Sequence, residues 1–485
     1  MKERLMLQEW RPPADNIDVS SMPNVVVIGA GSGGFSAAIR ASELGANVTL
    51  VGYGAIGGTC VNIGCVPSKT LIRTVESVHQ ARSASRFAGV VARARIDDWR
   101  AAIAQKDELV AHLQGAKYRD VLARYDTIRY VEGPARFTRD GVCVGDEMLY
   151  PKHTIIATGA SPAIPSIPGL DPAGMLTSTS ALELEELPES LLVIGGGVIG
   201  CEMGQMFARA GVAVTIVCRT RLLASAEPEI SDALAGYLRA EGIDVRLGVT
   251  YEGARLTVRG TELTIGDADG KSSVIFAERV LVATGRTPNT AGLDLESGGI
   301  AVSSRGGIAI DDLMRTTRHG TYAVGDVTGK DMYVYMAAYG GKIAAENALN
   351  GDTRRYDASA MPDVTFTDPQ VATVGLTEAQ ARAAGHTIDT VVLPLDAVPR
   401  ALAARDTRGL IKLVAERGTG RLLGAHVLAP EGGDSIQTAV LAIKHKLTVM
   451  DLAETIFPYL TTVEGLKLAA LGFSKDIAKL SCCAG

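Results

Sequence analysis

Short apolar runs, each ending in a cluster of glycines and followed by a helical stretch, set the rhythm of the first half of the chain. Val25-Val26-Val27-Ile28 reads as a strand that feeds Gly29-Ala30-Gly31-Ser32-Gly33-Gly34, then the helix-compatible Phe35 to Leu44, then a second run from Val48 to Val51. Strand, glycine turn, helix and strand in that order begin a parallel doubly wound sheet. The pattern returns at Leu191 to Ile194, Gly195-Gly196-Gly197-Val198-Ile199-Gly200, Cys201 to Ala210 and Val214 to Val217. Two nucleotide-binding units are therefore predicted in one chain.

Two further strands, Thr154 to Gly159 and Val280 to Gly285, both end in Ala-Thr-Gly and are expected to mark crossings between domains. From about Met361 the character changes: mixed strands such as Leu410 to Val414 alternate with helical stretches such as Asp434 to Lys444, which predicts a further α+β domain. The expected fold class is α/β, two doubly wound dinucleotide-binding domains plus a C-terminal α+β domain. A length of 485 residues accommodates this at roughly 150 residues per domain.

Composition narrows the function. With 47% hydrophobic and 21% charged residues the chain can build a core, and mainly disordered behaviour is excluded. A net charge of -6 without basic runs argues against a nucleic-acid partner and for a small-molecule site. The lead-in from Met1 to Ser20 lacks a signal peptide's apolar core, and the most apolar region, Leu191 to Val217, is interrupted by Glu202, Gln205 and Arg209. Neither membrane insertion nor export is expected, which leaves a cytoplasmic protein. Seven cysteines are too few and too odd a set for a disulphide scaffold, so close pairs point to redox or metal chemistry.

The glycines Gly29, Gly31, Gly33 and Gly34, and again Gly195, Gly197 and Gly200, permit a tight turn, close approach of backbone to a pyrophosphate, and close helix-strand packing. What stands about 20 residues further on selects the ribose contact. After the second unit come Arg219 and Arg221 with no carboxylate, a pair suited to the 2'-phosphate of NADPH. One charge-assisted contact of about 1.5–3 kcal/mol corresponds to roughly a 10- to 100-fold preference for the phosphorylated cofactor. After the first unit the usual acid is missing: Val51 is followed by Gly52-Tyr53, and no substitute can be named from sequence.

Between the units lies Gly57-Gly58-Thr59-Cys60-Val-Asn-Ile-Gly-Cys65-Val-Pro-Ser-Lys69. Two thiols at this spacing near a helix start can close a disulphide, and the helix dipole favours the reactive thiolate. Here the chain resembles the pyridine nucleotide-disulphide oxidoreductases, the family that includes glutathione reductase, lipoamide dehydrogenase and mercuric reductase, over nearly its whole length. The resemblance implies FAD against Cys65, with Cys60 facing the substrate and Lys69 approaching the flavin while paired with Glu202. It implies further FAD contacts at Gly58, Thr59, Thr158, Gly159 and Asp326, the last within Thr321-Tyr-Ala-Val-Gly325-Asp326, and an NADPH contact at Gly285. The domains it implies are FAD-binding at 1–160 and 288–358, NADPH-binding at 161–287, and dimerisation at 359–485, in a homodimer.

Two features near the C-terminus choose among branches of the family. In Phe457-Pro-Tyr459-Leu-Thr-Thr-Val-Glu464 a tyrosine stands where disulphide reductases of the family carry an acid-base histidine, while the orienting glutamate remains. A phenol titrating near pH ~10 is a poor proton shuttle at neutral pH. The chain then ends in Leu480-Ser-Cys482-Cys483-Ala-Gly485, and adjacent thiolates are soft ligands. With Phe366 to Gly375, these features resemble the Hg(II)-reducing branch. NADPH would reduce FAD, Cys482 and Cys483 of one subunit would collect Hg(II), and Cys60 and Cys65 of the other would receive it for reduction. A lipoamide or glutathione-type disulphide reductase is the alternative, disfavoured by the missing histidine. No Cys-x-x-Cys pair precedes Cys60, so small thiols or a separate mercury carrier are the expected source of Hg(II). Cys143, Cys201 and Cys218 are expected to be structural.

Overall fold

The computed structural model describes residues 24–476. They form two compact units, one built from residues 24–67, 104–161 and 286–357, the other from residues 68–103, 162–285 and 358–476.

In the first unit a five-stranded sheet runs in the order Thr321–Ala323, His153–Ile156, Asn24–Ile28, Asn47–Gly52, Ile128–Glu132, with every neighbouring pair parallel. The chain leaves the central strand in one direction and later returns to its other side, so the carboxyl end of Asn24–Ile28 is a topological switch point. Val25 to Val27 are wholly buried because both faces of the sheet are covered, which is why the run is continuously apolar rather than alternating. The helices Ser32–Glu43 and Val334–Asn350 cover one face and cross where Gly33 and Gly341 meet; a Cβ on Gly341 would overlap the Gly33 carbonyl oxygen.

The second unit contains a four-stranded parallel sheet in the order Asp244–Leu247, Ala213–Cys218, Ser190–Ile194, Arg279–Val282. Its C-terminal portion is an antiparallel five-stranded sheet, Pro362–Thr365, Gln370–Gly375, Leu422–Ala429, Leu410–Glu416, Ile388–Pro394, against which the helices Gly432–Lys444 and Glu464–Leu471 pack. The expected architecture, two doubly wound sheets and a C-terminal α+β portion, is the observed one. Among the described residues no helix is long and apolar enough to cross a membrane.

The Ala-Thr-Gly echoes have a packing explanation. Gly29, at φ +116°, lies so close to the Ala157 carbonyl that a Cβ would overlap its oxygen, and Gly195, at φ +120°, stands in the same relation to Ala283. Each glycine turn is thus seated on the backbone of an Ala-Thr-Gly strand end, and glycine is required at the first position of the turn.

Lys412 is 1% exposed on the strand Leu410–Glu416, with its Nζ 3.0 Å from Glu227 and 2.8 Å from both Glu229 and Glu378. Burial alone would lower the ammonium pKa, but hydrogen bonds to the three carboxylates more than offset this and hold it above the ordinary lysine value. Replacing Lys412 by Met strands the buried Glu227, and a loss of about 3–5 kcal/mol is expected in denaturant unfolding at neutral pH. The Lys412 hydrogen bond holds Glu378 below the usual carboxylate range; Glu229, which burial would raise, is also held low by Lys412. The stabilisation they contribute is therefore present above pH ~4.3 and fades on acidification through the depressed values. The gap between wild type and Lys412→Met should accordingly narrow below about pH 4.

Candidate functional site

The thiols sit on two helices separated by a glycine. Gly58–Ile63 carries Cys60 and stops at Gly64, where a Cβ would come 2.9 Å from the Thr59 carbonyl oxygen; the helix Cys65–Arg82 starts on Cys65 itself. The first of these helices is fixed by side-chain clamps, since Asn62 Nδ2 donates to the carbonyls of Ile56 (2.9 Å) and Gly58 (2.8 Å), while Gln114 Nε2 donates to Asn62 Oδ1 (2.8 Å). Gly58 packs face to face with the glycine turn, and a Cβ there would stand 2.6 Å from the Gly31 Cα. Cys60 is half-buried and Cys65 exposed, whereas Cys143, Cys201 and Cys218 are buried. Burial pushes the thiol pKa values of Cys201 and Cys218 up, which makes them inert.

Tyr118 also belongs to this region. Its ring meets Phe35 edge-on at 4.8 Å and its hydroxyl lies 3.5 Å from Ser32 Oγ. Burial raises the phenol pKa, and the thiol pair Cys60 and Cys65 is close enough to raise it further. Nothing in Gln114-Gly-Ala-Lys-Tyr118 signals this in sequence, because the contact depends on a chain return from a remote helix.

In the second unit Lys69 Nζ lies 2.6 Å from Glu202 Oε2, and Glu202, only 3% exposed, accepts the Phe366 N–H on its other oxygen at 2.8 Å. The Lys69 ammonium also stands 4.9 Å above the Phe366 ring. The pair borders a cavity of about 300 Å³ whose lining includes Gln205, Met206, Arg209 and Asp368.

Both glycine turns open helices whose first amides have no side-chain cap: Gly31 precedes Ser32–Glu43 and Gly197 precedes Val198–Ala210, with no acid in either first turn. Uncapped N–H groups of this kind receive anionic oxygens. A Cβ on Gly159, Gly197 or Gly285 would meet open space, so each leaves room beside the turn for a ligand. Thr158 Oγ1 donates to the Asn289 carbonyl (2.8 Å) and the Asn289 N–H to the Gly159 carbonyl (2.9 Å), which fixes that strand end. Asp326 lies in the short turn Gly325–Thr328, 3.6 Å from Arg286; burial pushes its carboxyl pKa up and the guanidinium partly opposes this.

The two arginines after the second unit differ. Arg219 is exposed, but Arg221 directs its guanidinium at the carbonyls of Ala224 (3.2 Å) and Ala226 (2.9 Å), bracing its own loop. Tyr459 is 50% exposed, and Glu464, 8% exposed at the start of Glu464–Leu471, accepts the Leu460 N–H at 3.2 Å. Cys482 and Cys483 lie outside the described residues.

Comparison with known proteins gives this geometry its context. The family described as pyridine nucleotide-disulphide oxidoreductase matches residues 23–341, and its dimerisation domain matches residues 361–470. The chain belongs to the pyridine nucleotide-disulphide oxidoreductases. A mercuric reductase of Bacillus cereus is 47% identical over 95% of this chain and 73% of its own length, and one of Streptomyces lividans is 47% identical over 95% and 98%. Among solved structures, the Cu(II) complex of the HOCl-induced flavoprotein disulphide reductase RclA of Escherichia coli superposes with a TM-score of 0.82 at 31% identity, covering 94% of this chain and all of the other. This oxidoreductase uses FAD and NADPH, and the open, uncapped glycine turns fit two dinucleotides.

The exposure of the thiols generates a test. In the reduced holoenzyme carrying Cys482→Ala and Cys483→Ala, iodoacetamide should label Cys60, the thiol read as facing the substrate, first, as read by peptide mass spectrometry. Cys143, Cys201 and Cys218 should react at least roughly 100-fold more slowly, since the thiolate is the nucleophile and these three are buried.

Proposed function

We propose that this oxidoreductase reduces Hg(II) to Hg(0) with electrons from NADPH, as a cytoplasmic homodimer, through the thiol pair Cys60 and Cys65. The observation that carries the reading is a tyrosine at 459, where the family's disulphide reductases carry a histidine, with Glu464 already occupied by the Leu460 N–H. With no imidazole to protonate a leaving thiolate, the thiol pair is suited to hold a soft metal rather than to exchange disulphides. The 47% identity to mercuric reductases of Bacillus cereus and Streptomyces lividans supports the same choice.

In this reading Cys482 and Cys483 of one subunit collect Hg(II) from small thiols or a mercury carrier and pass it to Cys60 and Cys65 of the other by exchange of thiolate ligands. Bound FAD supplies two-electron transfer from NADPH. Hg(II) accepts both electrons, the four thiolates keep their oxidation state, and the proton released as NADPH becomes NADP+ passes to solvent. Gly29, Gly31, Gly33, Gly34, Gly58, Thr59, Thr158, Gly159 and Asp326 hold the FAD; Gly195, Gly197, Gly200 and Gly285 hold the NADPH. Glu202 fixes Lys69 in position through the 2.6 Å contact to its Nζ. Arg219 binds the 2'-phosphate while Arg221 shapes the loop that presents it. The working division is FAD-binding at 1–160 and 288–358, NADPH-binding at 161–287 and dimerisation at 359–485.

NADPH oxidation measured in excess thiol should depend on added Hg(II); turnover that is indifferent to Hg(II), or faster with an organic disulphide, would replace this reading with a disulphide reductase. Cys482→Ala with Cys483→Ala should slow turnover of thiol-bound Hg(II) roughly tenfold or more, about 1.4 kcal/mol or more of barrier, and leave the flavin spectrum unchanged. Arg219→Ala should lower the preference for NADPH over NADH by roughly 10- to 100-fold, the value of one charge-assisted contact, whereas equal kcat/KM for both nucleotides in the wild type would remove that role.

A further inference from the structure

The chain lacks an acid at the end of its second strand, where a dinucleotide fold ordinarily holds the adenosine ribose, and the neighbouring strand fills the space. Gly52 is the last residue of Asn47–Gly52 and follows Val51, whose carbonyl accepts the Gly29 N–H at 2.8 Å. A side chain at 52 would therefore stand beside the first glycine turn. A Cβ on Gly52 would overlap the Tyr130 hydroxyl and come 2.8 Å from both Cε2 and Cζ of that ring. The glycine and the phenol are thus complementary: the ring lies in the volume that an acidic side chain at 52 would need.

The register explains why this ring reaches that point. Asn47–Gly52 pairs in parallel with Ile128–Glu132, Leu50 opposite Tyr130 and Gly52 opposite Glu132. Residues 50, 52, 130 and 132 share one face of the sheet, because side chains alternate along a strand. Tyr130 is half-buried and Glu132 exposed. Among the described residues no group makes a hydrogen bond to the Tyr130 hydroxyl. Burial, and then the Glu132 carboxylate, raise its pKa above the ordinary tyrosine value, so the phenol is neutral and can both donate and accept.

We infer that Tyr130, seconded by Glu132, holds the adenosine ribose of FAD in this chain, replacing the acid absent at Gly52. A phenol O–H suits a ribose hydroxyl as donor or acceptor, and the adjacent carboxylate supplies the charged acceptor that the second strand has lost. Sequence concealed this because the two residues lie on the third strand of the sheet, about 80 residues downstream.

The inference rests on FAD binding, not on the reaction catalysed, and its test reads FAD retention. Full-length holoenzyme and its Tyr130→Phe and Glu132→Gln variants are compared for FAD release by recovery of flavin fluorescence, and for rebinding of FAD and of FMN, which has no adenosine. Tyr130→Phe should weaken FAD binding on the order of 3- to 10-fold, as one neutral hydrogen bond implies, and leave FMN binding within twofold. Gly52→Glu alone should weaken FAD binding by displacing the ring, while Gly52→Glu with Tyr130→Val should recover it. FAD affinity unchanged in both Tyr130→Phe and Glu132→Gln, or equal loss for FAD and FMN in Tyr130→Phe, would overturn the assignment, the second result showing a packing role only.

Discussion

The site depends on one close approach made twice: the first glycine of each turn pressed against the carbonyl of an Ala-Thr-Gly strand end. Gly29 donates its N–H to Val51 on one side while its Cα meets Ala157 on the other, which ties three strands together at their carboxyl ends. Gly195 does the same between Val217 and Ala283. Because no Cβ fits, only glycine allows this approach, and it sets where the uncapped amides of the next helix stand above the sheet. Gly58 extends the arrangement by resting on Gly31, so that the helix bearing Cys60 takes its position from the glycine turn proposed to hold the FAD. Cofactor site and thiol helix are thereby positioned by the same glycine turn.

Charges in the interior follow a second rule, that each is placed by its partners. Glu202 uses one oxygen for Lys69 and the other for the Phe366 N–H. Arg209 divides its guanidinium between Glu241 and Asp368. The desolvation cost of such groups offsets much of their attraction, so these pairs add little net stability, yet breaking one strands its partner at a cost of about 3–5 kcal/mol. Their effect is therefore on position: one carboxylate links the lysine ammonium to the Phe366 backbone.

What could be read from sequence is what lies in contiguous residues. The turns at Gly29 and Gly195 and the Cys60 to Lys69 segment each carry their chemistry in about a dozen contiguous positions, and the continuous apolar runs that lead into the glycines specify the strands. Tyr118, Tyr130 and Lys412 act through partners brought in from distant segments, and no local pattern distinguishes them from ordinary helix or strand residues. Arg221 shows the converse limit. A cation just past a strand end suits a phosphate or a loop carbonyl equally well by sequence, and the backbone of Ala224 and Ala226 is what it meets. The glutamate at 464 was legible as a residue but not in its partner, since only the structure shows it on the Leu460 N–H.

That partner gives the buried glutamate a structural task of its own. Leu460 has a left-handed φ of +62°, and the buried Glu464 carboxylate accepts its N–H, so the loop that presents Tyr459 is fixed without an imidazole. A disulphide reductase must protonate the thiolate it expels, which calls for a group titrating near neutrality. Transfer of electrons to thiolate-bound Hg(II) makes the opposite demand: both sulphurs have to remain deprotonated while they are ligands, and a nearby acid would compete with the metal for them. A phenol whose ordinary pKa is near ~10 leaves the thiolates to the metal. On the proposed reading, a phenol at 459 withdraws the proton donor while Glu464 keeps the loop geometry.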